Sequence, residues 1–327
     1  MLGDIAGAPT KLPYSKEVYE YMRLLASKSP RVKVWSIGKT EEGREHIAVA
    51  IASEKLIQQL ETNRAKTAKL ADPRGMSQAE VTSLIGATKP HYHLMGGLHS
   101  GETGPSEMLM ELAYRLAVEE SPAIQQIRNN VITVITPTTE VDGHDRQVDN
   151  QRAARGGQVS PSMVYWGRYV AHDNNRDGIG KGLNLSQNVL HAFLDMHPQV
   201  LHDLHESVNL LYSSTGTGPY NAIVDPIQVT EWWMLAQNDV MELTKRGVPG
   251  VTASTSCGTG STIREPRVVN VTPSAVAWSA GQAGVGAARA RTVPWQSVHD
   301  TLTVQRAEAV SVPDPCSSAT RWQSTQV

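Results

Sequence analysis

The sequence predicts an α/β fold: a mixed, largely parallel sheet with helices on both faces, followed by an irregular C-terminal part. Two observations carry this. Short apolar runs of strand length alternate with segments of helical period as far as Gly250. The run Asn130–Ile135 is apolar and β-branched, as a central strand covered on both faces would be. A chain of 327 residues with 40% hydrophobic content also suffices for one large domain or two small ones.

Taken in order, Ser15 opens an amphipathic helix with Val18, Met22 and Leu25 on one side, ended by Pro30. Val32–Ile37 and Glu45–Ile51 read as two strands joined by the turn Gly38–Gly43, a hairpin in which Arg44 is a solvated charge. Glu54–Lys89 is polar and reads as one or two helices broken at Asp72-Pro73-Arg74-Gly75. His91–Gly97 suits a buried strand next to Asn130–Ile135. Gly104-Pro105-Ser106 then opens a helix, with proline in its first turn, whose apolar face is Met108, Leu109, Leu112, Ala113 and Leu116. Ser121-Pro122 closes it.

Beyond Ile135, Asp142-Gly143 reads as a turn, and a loop-rich basic stretch holds Arg146, Arg152, Arg155 and Arg168. At least two of these arginines are expected to be surface charges. Leu183–Leu194 is a helix with Leu185, Val189 and Phe193 on its apolar side. In the strand that follows, alternation puts Leu201, Asp203 and His205 on one side and Val200, His202 and Leu204 on the other. His202 is therefore expected to be a hydrogen-bonded core residue. Leu210–Tyr220 reads as strand and loop, with Tyr212 and Tyr220 packing there, and Ile227–Arg246 as a helix with Trp232, Trp233, Leu235, Val240 and Leu243 available for burial.

The chemistry centres on His99 and Glu102, three positions apart on an irregular segment at the carboxyl end of a strand, where open α/β sheets usually keep ligand sites. If the turn between them curls, both reach one ion, and zinc takes such nitrogen and oxygen donors at roughly 2.0–2.2 Å. His205 in Asp-Leu-His-Glu-Ser is a third candidate donor. Asp203 either orients that ligand as an acceptor or pairs with a basic neighbour.

This constellation resembles the zinc carboxypeptidase family, the relatives of carboxypeptidase A and above all bacterial carboxypeptidase-like members, over a span from about Tyr14 to about Gly250. The resemblance implies one zinc ion held by His99, Glu102 and His205, with Ser207 following, and matches the family's Gly-Arg-Glu at Gly43-Arg44-Glu45. It further implies that Asn175 and Arg176 bind a substrate's terminal carboxylate, a task suited to the bidentate guanidinium. Only Asp142-Gly143 remain of the family's Asn-Pro-Asp-Gly. Which arginine faces the scissile carbonyl stays open, with Arg168 one candidate. The implied activity is hydrolysis of a C-terminal peptide bond through a metal-activated water. Two alternatives stay open: a zinc amidohydrolase acting on small acylated amino acids, and a zinc-binding relative without its general-base glutamate. The implied partner is a peptide or small amide.

Net charge and hydropathy exclude other classes. At −2, the chain gives no reason to expect nucleic acid or an acidic membrane as partner, and no run approaches the roughly 18 apolar residues of a membrane helix. The first residues lack the basic, apolar and cleavage regions of a signal peptide, so the chain as given reads as soluble and unexported, although relatives are often secreted or periplasmic. Cys257 and Cys316 have neither zinc-thiolate nor disulfide-framework spacing.

Residues 1–250 are thus expected to form the catalytic domain and residues 251–327 an atypical segment. Beyond Gly250 there is no lysine, and only Glu265, Asp300, Glu308 and Asp314 are acidic. That segment shows no family resemblance and is read as disordered or as the product of a shifted reading frame. The base that the family keeps near its C-terminus is assigned to neither Glu265 nor Glu308.

Overall fold

The structure, a computed structural model, describes residues 6–8, 11–158, 173–178, 180–206, 212–214, 222–249 and 251–254. Arg168, Ser207, Tyr220, both cysteines, Glu265, Glu308 and all but the first four residues of the expected 251–327 segment lie outside them. Two compact units divide the chain, the first containing residues 1–206.

In the first unit, α1 (Ser15–Lys28) leads to the expected hairpin of β1 (Val32–Lys39) and β2 (Glu45–Ile51). The polar insertion holds three helices, α2 (Glu54–Gln58), α3 (Leu60–Ala71) and α4 (Gln78–Gly86), with the break at Asp72–Gly75 where expected. Then follow β3 (His91–Gly96), α5 (Gly104–Val118), α6 (Pro122–Asn130), β4 (Ile132–Thr136), α7 (Val141–Arg155), α8 (Asn184–Met196) and β5 (Val200–Leu204). The sheet order is β1-β2-β4-β3-β5. β2 is antiparallel to β1 and β4, whereas β3 is parallel to β4 and β5.

Alternation along the strands builds a core on each face. Ile47, Val49 and Ile51 of β2 join Val18, Met22, Leu109 and Ala113 on the α1/α5 side. Ala48, Ala50 and Ala52 face the other way, with Leu60 and Met196. Small alanines on that side leave room for α3 and α8 to close over the sheet.

Several expectations are corrected. α5 is rolled relative to the expected face: Leu109, Met110, Ala113, Leu116 and Ala117 are buried, while Met108 is 43% exposed. Toward the sheet α8 turns Leu185, Asn188, Ala192 and Met196, leaving Val189 and Phe193 half-buried. The stretch after Ser121 is the helix α6, with Pro122 in its first turn. The expected turn and loop after Ile135 hold α7, a 15-residue helix capped by Glu140, whose carboxylate accepts from the Gly143 amide.

Asp142 lies buried in the first turn of α7 and receives Thr40 Oγ1 at 2.7 Å, the Glu42 amide at 3.0 Å and Arg44 Nη1 at 2.8 Å. It clamps the hairpin turn instead of making one. Arg44, which also pairs with Asp145 at 3.1 Å, is part of that clamp and no solvated charge. Arg146 pairs with Glu42, and Arg152 sits 4.2 Å above the Tyr14 ring.

The second unit contains β6 (Tyr212–Ser214), α9 (Pro226–Lys245) and β7 (Thr252–Ser254), with β6 parallel to β7. Of α9 only Ala236 is buried; Trp233 and Leu235, expected to be buried, are 38% and 39% exposed. Among the described residues no helix is long and apolar enough to cross a membrane.

Candidate metal centre

The parallel strands β3, β4 and β5 end on one edge of the sheet. Register sets Gly96 opposite Leu204, so His205 emerges beside the start of the loop that carries His99. That loop leaves β3 through Gly97, whose φ of +63° is left-handed and whose Cβ, if present, would lie 2.8 Å from Ser106 Oγ. It curls at once: the Glu102 amide donates to the His99 carbonyl at 3.0 Å. Gly104 then opens α5 against Glu206, whose Oε1 would lie 2.3 Å from any Cβ there.

The curl brings His99 Nδ1 to 2.8 Å from Glu102 Oε1. Glu102 Oε2 is 2.9 Å from His205 Nδ1, across 103 positions of sequence. One donor atom from each of the three residues lies within 4.8 Å of the others, and the two imidazoles are 4.8 Å apart, centre to centre. All three side chains are mostly shielded, at 14%, 12% and 24% exposure for His99, Glu102 and His205.

Each imidazole turns Nδ1 inward and Nε2 outward to a carboxylate. His205 Nε2 is 2.7 Å from Asp203 Oδ2, and His99 Nε2 is 3.4 Å from Asp173 Oδ1. Asp203 thus meets His205, a contact common to both of its expected roles. Asp173 was invisible in the sequence, because its contact with His99 spans 74 positions and follows no local pattern. His202 points away, as alternation requires, and meets the Tyr92 hydroxyl at 3.0 Å.

The electrostatics follow from this packing. Burial favours the neutral acid at Glu102, but the hydrogen bonds to His205 and His99 and their charge outweigh it, holding the carboxyl at about 2. Burial opposes charge on His205 too, yet its bonds to Asp203 and Glu102 drive it up to about 10. A divalent cation taken up here would replace that proton in the same electrostatic role. Two imidazole nitrogens and a carboxylate, each imidazole oriented by a further carboxylate, fit zinc.

Asn174–Arg176 forms a 3-10 turn capped by Asp173, whose Oδ1 accepts the Asn175 amide at 2.8 Å. Asn174 Nδ2 donates to the Leu98 carbonyl, tying this turn to the metal loop. Asn175 is exposed, and Arg176 is 69% exposed with its guanidinium 3.8 Å from Asp173.

A family model described as zinc carboxypeptidase matches residues 18–207, which include all three donor residues. A search of curated proteins finds no match. Among solved structures, a metallo-carboxypeptidase from Burkholderia cenocepacia is 16% identical, covering 76% of this chain and 54% of its own, with a TM-score of 0.48. Carboxypeptidase A from Helicoverpa armigera is 14% identical over 75% of this chain and 58% of its own, with a TM-score of 0.46. A metallo-carboxypeptidase from Pseudomonas aeruginosa is 13% identical over 77% and 54%, with a TM-score of 0.43. The chain spans about half the length of these solved structures.

Proposed function

The chain belongs to the zinc carboxypeptidase family, and on that premise we propose that it is a zinc-dependent hydrolase that cleaves the C-terminal amide bond of a peptide. One observation supports this above the others: three donor atoms from two distant parts of the chain lie within 4.8 Å of one another. Bound at His99, Glu102 and His205, zinc supplies Lewis acidity toward a substrate carbonyl and toward water.

The chain's own residues do the rest. Asp173 and Asp203 hold the two imidazoles with Nδ1 turned inward, which fixes the tautomer a ligand needs. Asn175 and Arg176 take the substrate's terminal carboxylate, Arg176 through two parallel N–H bonds. Their tether to Leu98 and His99 keeps that anchor beside the donors. The carboxylate that moves a proton from water to the leaving amine is left unassigned.

The test is hydrolysis by the zinc-loaded protein of an N-blocked dipeptide with a free carboxylate, beside its C-terminal amide and an N-acyl amino acid. The expected result is cleavage of the free-carboxylate peptide alone, lost in His205→Ala, with KM raised at least ~10-fold in Arg176→Ala. Turnover of the N-acyl amino acid alone would establish an amidohydrolase instead. Stoichiometric zinc with no turnover on any of the three would establish a non-catalytic zinc protein.

A further inference from the structure

β1 is an outermost strand of the five-stranded sheet, at the opposite end of its order from β5. Its backbone directions follow from register. The Ala52 amide donates to the Arg31 carbonyl at 3.1 Å, and antiparallel pairs alternate, so Lys33 and Trp35, opposite Ala50 and Ala48, also turn their N–H and C=O groups toward β2. Val34 and Ser36 therefore turn both groups outward, where no strand meets them among the described residues. On either side the edge is closed: the Val32 amide donates to the Ser29 carbonyl at 3.3 Å, and Asn188 Nδ2 of α8 donates to the Lys39 carbonyl at 3.0 Å. The open stretch is Val34–Ser36.

Beside it, between β1 and α8, lies an open groove of about 490 Å³ with Trp35, Ile37, Ala192 and Leu194 as its apolar lining. Leu194 is 52% exposed. Outward N–H and C=O groups next to an apolar groove are what a sheet needs to take up an extended peptide: backbone bonds hold it, and alternate side chains fill the groove.

Charge selects the occupant. Residues 31–39 contain Arg31, Lys33 and Lys39 and no acidic residue. Arg31 pairs with Glu120 and Lys33 with Glu61, and in the groove lining Asp195 pairs with Arg64. Lys39 is exposed and forms no ion pair among the described residues, since Glu45 opposite it is taken by Arg23. The charge left over at this edge is positive. A second copy suits it poorly, because the pairing that joins Val34 of each copy to Ser36 of the other sets Arg31 opposite Lys39, cation against cation. Glu45 meets Arg23 of α1, so Lys39 lies on the α1 face of the sheet while the groove is on the α8 face. An occupant that satisfies both alternates acidic and apolar side chains.

We propose that the free edge of β1 binds an extended peptide segment of a partner protein, with apolar side chains in the groove and acidic side chains on the opposite face beside Lys39. The site does not depend on the hydrolase reading and is tested without metal.

Random heptapeptides displayed on phage and panned against the metal-free full chain make the test. The enriched sequence is synthesised with both ends blocked, and its affinity is read by fluorescence anisotropy. Alternating apolar and acidic residues are expected. Three changes should each weaken binding about tenfold or more: Ser36→Pro, which removes an outward N–H where an edge strand tolerates proline; Leu194→Glu on the exposed groove wall; and N-methylation of alternate amides of the peptide. Circular dichroism of both variants should stay unchanged. Lys39→Glu should reverse the charge preference, so that the peptide with lysines in place of its acidic residues binds the better. No enriched sequence, undiminished binding of the N-methylated peptide, or undiminished binding by folded Ser36→Pro would each overturn the proposal. So would a dimer in sedimentation that Ser36→Pro disperses, since the edge would then belong to a second copy.

Discussion

β2 and β5 belong to one sheet and differ in what surrounds them. Every residue of β2 from His46 to Ile51 is buried; no residue of β5 is, and its Leu201 is 43% exposed. β2 is paired on both edges, whereas β5 pairs only with β3 among the described residues. Yet β5 carries Asp203 and delivers His205. Free energy of folding is concentrated in the interior of the sheet, and the chemistry sits at its rim, where side chains keep access to solvent and ligands.

That contrast breaks most visibly under core substitution. Ile51→Ala in β2 is expected to cost about 2–5 kcal/mol, against roughly 0.5 kcal/mol or less for Leu201→Ala in β5, as for surface substitutions generally. Urea unfolding of both variants measures the difference, and equal costs would erase the distinction between the two strands.

Acid should strike the interior first. Burial holds His46 and His93 down at about 4, His46 also feeling His93 beside it. Both are neutral in the folded chain, whereas in the unfolded chain each titrates near ~6.5. Their contribution to stability is complete above that ordinary value and is lost as pH falls through it toward 4. Replacing either by Gln should flatten the fall in thermal unfolding temperature between pH 6.5 and 4; an unchanged slope in both variants would exclude them as its cause.

A smaller effect is expected at the rim. Asp203→Asn leaves an acceptor oxygen in place but removes the charge that orients His205, so zinc affinity should fall about 10–100-fold. A loss of stability with unaltered zinc affinity would make Asp203 a structural residue only.

How much of this was legible in the sequence follows the same division. The hairpin, β3, β4 and α8 were readable because their apolar periods are local and were not interrupted. α7 was not: its sequence VDGHDRQVDNQRAAR has no apolar stripe, and it is held by the Glu140 cap and by Asp142 gripping a hairpin turn about 100 positions away. Within the site, spacing pointed to His99 and Glu102 as candidate donors, and the resemblance to the zinc carboxypeptidases, together with alternation on a strand, pointed to His205. Nothing pointed to Asp173, since nothing in a residue's neighbours reports which carboxylate another loop will meet. The roll of α8 illustrates the point: Val189 and Phe193 belong to an apolar stripe, and only the structure shows that they line a cavity and that Leu185 and Ala192 belong to the core.

The central claim is that His99, Glu102 and His205 close around one cation, and zinc stoichiometry of three purified chains tests it most directly. One equivalent of zinc is expected in the unaltered protein and in His202→Ala, whose imidazole points to Tyr92, and less than a tenth of an equivalent in His205→Ala, with all three giving the same circular dichroism. Retention of a full equivalent by folded His205→Ala would contradict the account.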